Sequence, residues 1–454
     1  MKRVALVLFL GACASMAPRY ERPAAPIPAK LPGGAGEATA AKLPWHQFVR
    51  DGRLQKVIER ALTQNRDLRR AAYDIESARA QYRIQRAEIL PSISATAGLS
   101  AARVIAGPGN ATVNATNYDI GALATWEIDV FGRVRSLTDA KLQAYFSLVE
   151  TGRALRISLI AETSAAYVRL AGDRGRLAIA RETMATAQRT MDLTNQLVGG
   201  GVSNRGDFYQ ASTVFQQARA DVAFLEATIA QDRNALELLA GGSIPEELLP
   251  DTIPEGLDWF TDVPVGLSSA VLLNRPDVLA AEHDLVAANA NIGAARAQFF
   301  PSLTLTQSGG LASTALAALF SGPAAVWAIA PRIVLPLFRG GANRANLDFT
   351  VAQKHAFVAR YELAIQSAFR DVADALATRG TIEEQLAAQA ALVEAATKSV
   401  ELAQARYKSG IDTFLTTLVS QRALYTAKNS LVATQLAALE NRVTLYRVLG
   451  GGGN

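Results

Sequence analysis

The chain has 454 residues, half of them hydrophobic and 19% charged, with one cysteine, three histidines and a formal charge of +5. That length allows more than one compact unit, and basic residues scattered along it give no nucleic-acid footprint. A lone cysteine excludes an internal disulfide and a multi-cysteine metal site.

Met1-Lys2-Arg3, the apolar run Val4 to Leu10 and Gly11-Ala12-Cys13 predict a signal peptide over residues 1–12. Leu10-Gly11-Ala12-Cys13 fits a bacterial lipobox, so Cys13 is expected to be lipidated and to anchor the chain without spanning a membrane. Residues 13–50 then read as a lipidated N-terminal tether, extended through the Pro-, Ala- and Gly-rich stretch from Ala17 to Ala41.

A first structural repeat is expected over residues 51–242. Leu54, Val57, Ile58, Ala61, Leu62, Leu68, Ala71, Ala72, Ile75 and Ala78 recur at helical spacing, predicting one helix from Arg53 to Leu90 that stops at Pro91. The period then falls to two. Ile93, Ala95, Ala97 and Leu99 alternate with small or polar residues, as do Tyr118, Ile120, Ala122, Ala124, Trp126 and Ile128, predicting strands at about 91–105 and 116–130. From Arg133 to about Val198 there is no proline and good helix formers dominate, which predicts a helix of roughly 100 Å. Gly199-Gly200-Gly201 turns it, and Asp207 to Ala240 returns as the second arm of a helical hairpin.

Residues 243–265, with Pro245, Pro250, Pro254 and Pro264, read as an irregular link. Residues 266–454 then repeat the series: a helix from Pro276 to Phe300, strands at about 301–310 and 324–337, a helix from Asn343 to Ser409 and a return from Thr413 to Leu449. The uncharged stretch around Leu311 to Pro331 has the length of a membrane helix. Gly322-Pro323 and Pro331 interrupt it, and it occupies the strand-loop-strand position of the first repeat.

The copies share short motifs in the same order. Ala87-Glu88-Ile89-Leu90-Pro91-Ser92 returns as Ala297-Gln298-Phe299-Phe300-Pro301-Ser302, Phe131-Gly132 as Phe338-Arg339-Gly340, and Gly201-Val202 as Gly410-Ile411. The strands have the two-faced pattern of an outer-membrane barrel wall, a pattern shared with half-buried hairpins of soluble proteins. Four strands cannot close a pore, so the barrel reading requires several chains. The Ala-rich helices suit close side-by-side packing, and equally a long coiled coil. An enzyme is not expected: His46, His283 and His355 lie far apart, and no nucleophile, phosphate-binding, metal or other cofactor motif is present.

Cys13 with the Pro-rich segment at 17–23, Trp126-Glu127-Ile128-Asp129-Val130-Phe131-Gly132, the Ala-Gln-Phe-Phe-Pro-Ser run from 297 and Arg406-Tyr407-Lys408-Ser409-Gly410-Ile411 resemble the TolC and OprM family of outer-membrane efflux proteins, in its NodT-type lipoprotein branch. The resemblance implies a mainly α protein with membrane β structure: a homotrimer whose chains give four strands each to a twelve-stranded barrel, continued by an α-barrel of long hairpins in the periplasm. It implies a passive duct for small toxic compounds, drugs or metals, working with a periplasmic adaptor (membrane fusion) protein and an inner-membrane pump of RND type, and embedded in outer-membrane lipid. Its near alternative is a type I protein secretion duct. A structural coiled-coil surface lipoprotein is the alternative from another class. By the same resemblance Leu415, Phe414 and Arg422 fall at a periplasmic gate. The acid that would pair with Arg422 is replaced by Val419, leaving Asp207 of the first hairpin as a candidate partner. Tyr118, Trp126 and Trp327 are expected at the membrane interfaces.

Overall fold

The computed structural model describes residues 15–32, 43–105, 112–201, 203–262 and 268–451. The signal peptide, Cys13 and Pro264 lie outside them. In chain order the elements are α1 (Trp45–Phe48), α2 (Gly52–Gln64), α3 (Arg66–Ala87), β1 (Ser92–Ile105), β2 (Thr112–Ile128), α4 (Arg133–Gly199) and α5 (Arg205–Ala240), followed by α6 (Pro276–Ala297), β3 (Ser302–Ser313), β4 (Ala325–Val334), α7 (Ala342–Lys408) and α8 (Phe414–Val448). Short 3-10 turns join some of them. No described helix is long and apolar enough to cross a membrane.

The chain divides into two compact units. The first comprises residues up to Ala24, Tyr73–Glu150 and Leu279–Leu363, and it contains the sheet. All four strands form one antiparallel sheet in the order β1-β2-β3-β4. Its register aligns the alternating patterns: Ala95 faces Ala122, Ala122 faces Gly309 and Gly309 faces Trp327, while on the other face Ser94 meets Leu123, Leu123 meets Ser308 and Ser308 meets Ala328. Because strand side chains alternate, Tyr118, Trp126 and Trp327 share the apolar face. Trp126 sits near the strand root, where its indole N–H donates to Ile89 O at 2.8 Å, and Trp327 lies near the far end of the β3–β4 hairpin. Gly121 is required where β2 approaches β3: a Cβ there would stand 2.7 Å from Gly309 O.

The second unit comprises Ala25–Ala72, Thr151–Val278 and Ala364 onward. Its main core joins Phe48, Leu54, Ile58, Tyr167, Leu170, Leu236, Leu249, Trp259, Phe260, Leu439 and Tyr446. Phe48 stacks between Phe260 and Tyr446, at ring separations of 5.1 and 4.3 Å.

Three expectations require correction. The single helix from Arg53 to Leu90 is two helices, because Asn65 leaves helical geometry, donates from Nδ2 to Leu239 O at 3.0 Å and caps α3 by accepting from Leu68 N at 3.0 Å. The tether reading fails over the described residues: 15–24 are bonded to the first unit, and Trp45, Phe48 and Val49 are buried in the second. The link between repeats is irregular in backbone, but its Ile244, Leu249, Trp259 and Phe260 are core residues. Strand β2 begins four residues earlier than expected, at Thr112, and β4 ends at Val334.

Candidate channel gate

The two hairpin ends of the second unit lie beside each other. In the first, Asn204 caps α5 by accepting from Asp207 N at 3.0 Å, and the Asp207 carboxylate accepts from Ser203 Oγ at 2.8 Å. In the second, Gly410 turns the chain with φ +70°, a conformation that favours glycine. Arg406 and Asp412 close that turn with contacts of 2.7 and 3.0 Å, and Arg406 holds the Asp412 carboxyl below its ordinary range.

Phe414 is 2% exposed and packs with Ala211 and Leu418, with Met191, Val214 and Tyr407 around them. Its ring thus packs the second hairpin against the first instead of standing open at the tip. Burial, then the negative charge of Asp207, raises the Tyr407 phenol. Leu415, the next residue, is 52% exposed, with Val419 one turn along also exposed.

Arg422 does not meet Asp207 within the chain. Its Nη2 donates to Thr213 Oγ1 at 3.2 Å, on the first hairpin, while Asp207 is taken by Ser203. Two further contacts continue this line at three-residue spacing, which keeps them on one side of α8. Tyr425 Oη donates to Asp221 at 2.8 Å, and Lys428 Nζ donates to Glu182 at 2.8 Å. Burial, then the Asp221 hydrogen bond, pushes the Tyr425 phenol up to about 12. Both contacts were missed in the sequence. The only available signal was the spacing 422, 425, 428, which names no partner until the facing helices are known.

Contacts at the strand root repeat once and then stop. Phe131 stacks on Phe300 at 4.9 Å, but their counterparts in the duplication, Phe338 and Leu90, are 89% and 68% exposed. Likewise α6 buries Leu285, Ala288, Ile292 and Ala295, whereas its counterpart α3 buries none of its residues and leaves Leu68, Ala71, Ile75 and Ala78 half-open. Among the described residues, strands β1 and β4 each keep an unpaired edge.

The model of the outer membrane efflux protein family matches residues 57–242 and 267–451. The solvent efflux pump outer membrane protein SrpC of Pseudomonas putida is 42% identical, over 98% of this chain and 97% of that protein. A membrane protein from Pseudomonas aeruginosa superposes with a TM-score of 0.92 at 40% identity, covering 97% of this chain and 98% of the other. The open state of the MtrE outer membrane channel of Neisseria gonorrhoeae gives 0.83 at 38% identity, over 97% and 98%.

Proposed function

Because this chain belongs to the outer membrane efflux protein family, we propose that three copies form one gated duct that carries small toxic compounds out of the cell. The chain is an outer-membrane efflux channel. The observation that supports the trimer is the interrupted repetition at the strand root. A head-to-tail neighbour would place its Leu90 under Phe338, its α3 along α7, and its β1 edge against β4, completing every contact that the chain makes once. Four strands per chain then give twelve, enough to close a barrel with no free edges.

The apolar face of that sheet would meet lipid, with Trp126 and Trp327 toward its two borders, and the Ser, Thr and Gly face would line the lumen. Cys13 would carry the lipid anchor. At the hairpin ends, three copies of Leu415 would form an apolar constriction that closes by dewetting. The contacts of Arg422, Tyr425 and Lys428 to the first hairpin would hold it shut. With no energy-coupling motif in the chain, transport depends on partners: a periplasmic adaptor that parts the hairpins, and an inner-membrane pump of RND type.

Interchain cysteine pairing tests the assembly. Carrying the β2·β3 register onto the joint between β4 and the next copy's β1 sets Ala328 opposite Ser100 or, two residues on, Ala102. Ala328→Cys combined with one of these cysteines should give oxidised trimers. Ala328→Cys with Ala101→Cys should not, because one residue reverses the face. Equal yields from all combinations, or none from any, would refute the paired edge.

A further inference from the structure

Three strand roots share one face of the sheet. Glu127 of β2, Ser302 of β3 and Val334 of β4 stand on the Ser, Thr and Gly face, because Ser302 pairs with Val334, Glu127 pairs with Thr304, and side chains alternate along each strand. Together they border a recess of about 320 Å³, whose remaining lining includes Phe300, Pro336 and Arg339. An apolar cavity of about 150 Å³ holds benzene. A molecule of two rings therefore fits here, at the small end of ligand clefts.

The apolar part of the recess is built around Phe300, whose ring stacks on Phe131 at 4.9 Å, and Val334 and Pro336 extend it. The polar part is uneven in charge. Glu127 is taken by Arg133 through two contacts of 2.9 and 2.7 Å, and Asp129 accepts from Arg135 N at 2.8 Å and from its Nε at 3.4 Å. Gln298 is oriented through Oε1, which accepts from Asn346 Nδ2 at 3.2 Å, so its amide nitrogen is left to donate. Arg339 has no acidic partner among the described residues. Both carboxylates at the recess are thus occupied, while the side chains left open are donors, one of them cationic.

We infer that this recess is a resting site for small anionic amphiphiles in transit, with Arg339 receiving the acid group and Phe300 and Pro336 the apolar body. The inference rests on the duct reading, which turns this face toward the lumen. A carboxylate or sulfonate is matched by a guanidinium donor. An ammonium group would meet Arg339 and find Glu127 and Asp129 already paired. The recess sits where α4 and α7 give way to the sheet, so cargo of this class meets it before entering the barrel. Three copies would offer three equivalent seats around the bore.

The full-length channel in lipid nanodiscs would be irradiated with 4-benzoylbenzoate or with the matched cation (4-benzoylbenzyl)trimethylammonium. Adducts would be located to the residue by mass spectrometry, and native mass spectrometry of the same sample would count the chains. The carboxylate should label Phe300, Val334 and Pro336 at several times the yield of the cation. Arg339→Gln should bring the two yields together, and Arg339→Glu should reverse their order. Equal yields on the unaltered chain, or a preference that survives Arg339→Gln, would overturn the anionic class. Adducts confined to Leu303 and Ile333, on the opposite face, would report partition into lipid alone and overturn the site. A trimer without recess adducts would remove the site and leave the duct standing, whereas recess adducts on single chains would remove the transit role. The comparison of the two probes on the unaltered chain decides the matter even where a variant fails to fold.

Discussion

Asp232 on α5 carries its charge beside a like charge in the second unit. Burial comes first, followed by the neighbouring Asp173 carboxylate on α4, and together they push its carboxyl up to about 6, against the pull of Arg169. Asp173 is itself held by Arg176 at 2.9 Å, and Arg169 also faces Glu440 of α8 at 3.7 Å. The folded chain thus binds this proton more tightly than the unfolded one. Its stabilising contribution is complete below about pH 4 and is lost as pH rises through about 6. Asp232→Asn should therefore raise the melting temperature at neutral pH, on the order of 1 kcal/mol after screening of a partly exposed site, and leave it unchanged near pH 4. A stabilisation independent of pH would show that the pair is not the cause. At the hairpin ends, Phe414→Ala should destabilise the packed tip by about 3–5 kcal/mol, read by thermal denaturation. Leu415→Ala should cost far less, since its side chain is half open. The sequence could place both residues at the tip but could not assign their directions, because one helical step separates a packed ring from an open one.

At the scale of elements, the long helices and their glycine turns were legible because α4 and α7 contain no proline in 67 residues each. The break at Asn65 was not. In the second repeat Pro276 marks the same point, but the first repeat has Arg66 there, a good helix former, and only the Leu239 carbonyl and the Leu68 amide explain the interruption. Asn65→Ala should cost about 1 kcal/mol as a lost cap, with an added loss from the buried Leu239 contact. A stability unchanged in denaturant titration would mean that α2 and α3 can fuse without penalty. Gly241 allows no alternative, because its φ is +77° and a Cβ would lie 2.5 Å from Gln64 O. Residues 15–24 and the inter-repeat segment stayed illegible for a different reason. Their residues pack by individual contacts such as Phe48 on Phe260, and such contacts leave no period in the sequence.

For the whole molecule, the duplication supplies both the fold and its incompleteness. Each contact type at the strand root is made once inside the chain and left open once, a condition that a head-to-tail ring satisfies. The tip departs from this symmetry: Gly206 and Asp207 occupy the first hairpin where Leu415 and Thr416 occupy the second, and the polar line from Arg422 to Lys428 ties the second hairpin to the first. Parting that line is the step assigned to the adaptor. Single-channel recording in planar bilayers tests this most directly, comparing the unaltered trimer with a Tyr425→Phe, Lys428→Ala variant and with Leu415→Ser. The unaltered channel should insert and conduct rarely, and both variants should conduct in long openings of the same ionic selectivity. Insertion of all three with equal conductance would contradict a gate at these residues, and insertion without current in any of them would contradict the duct itself.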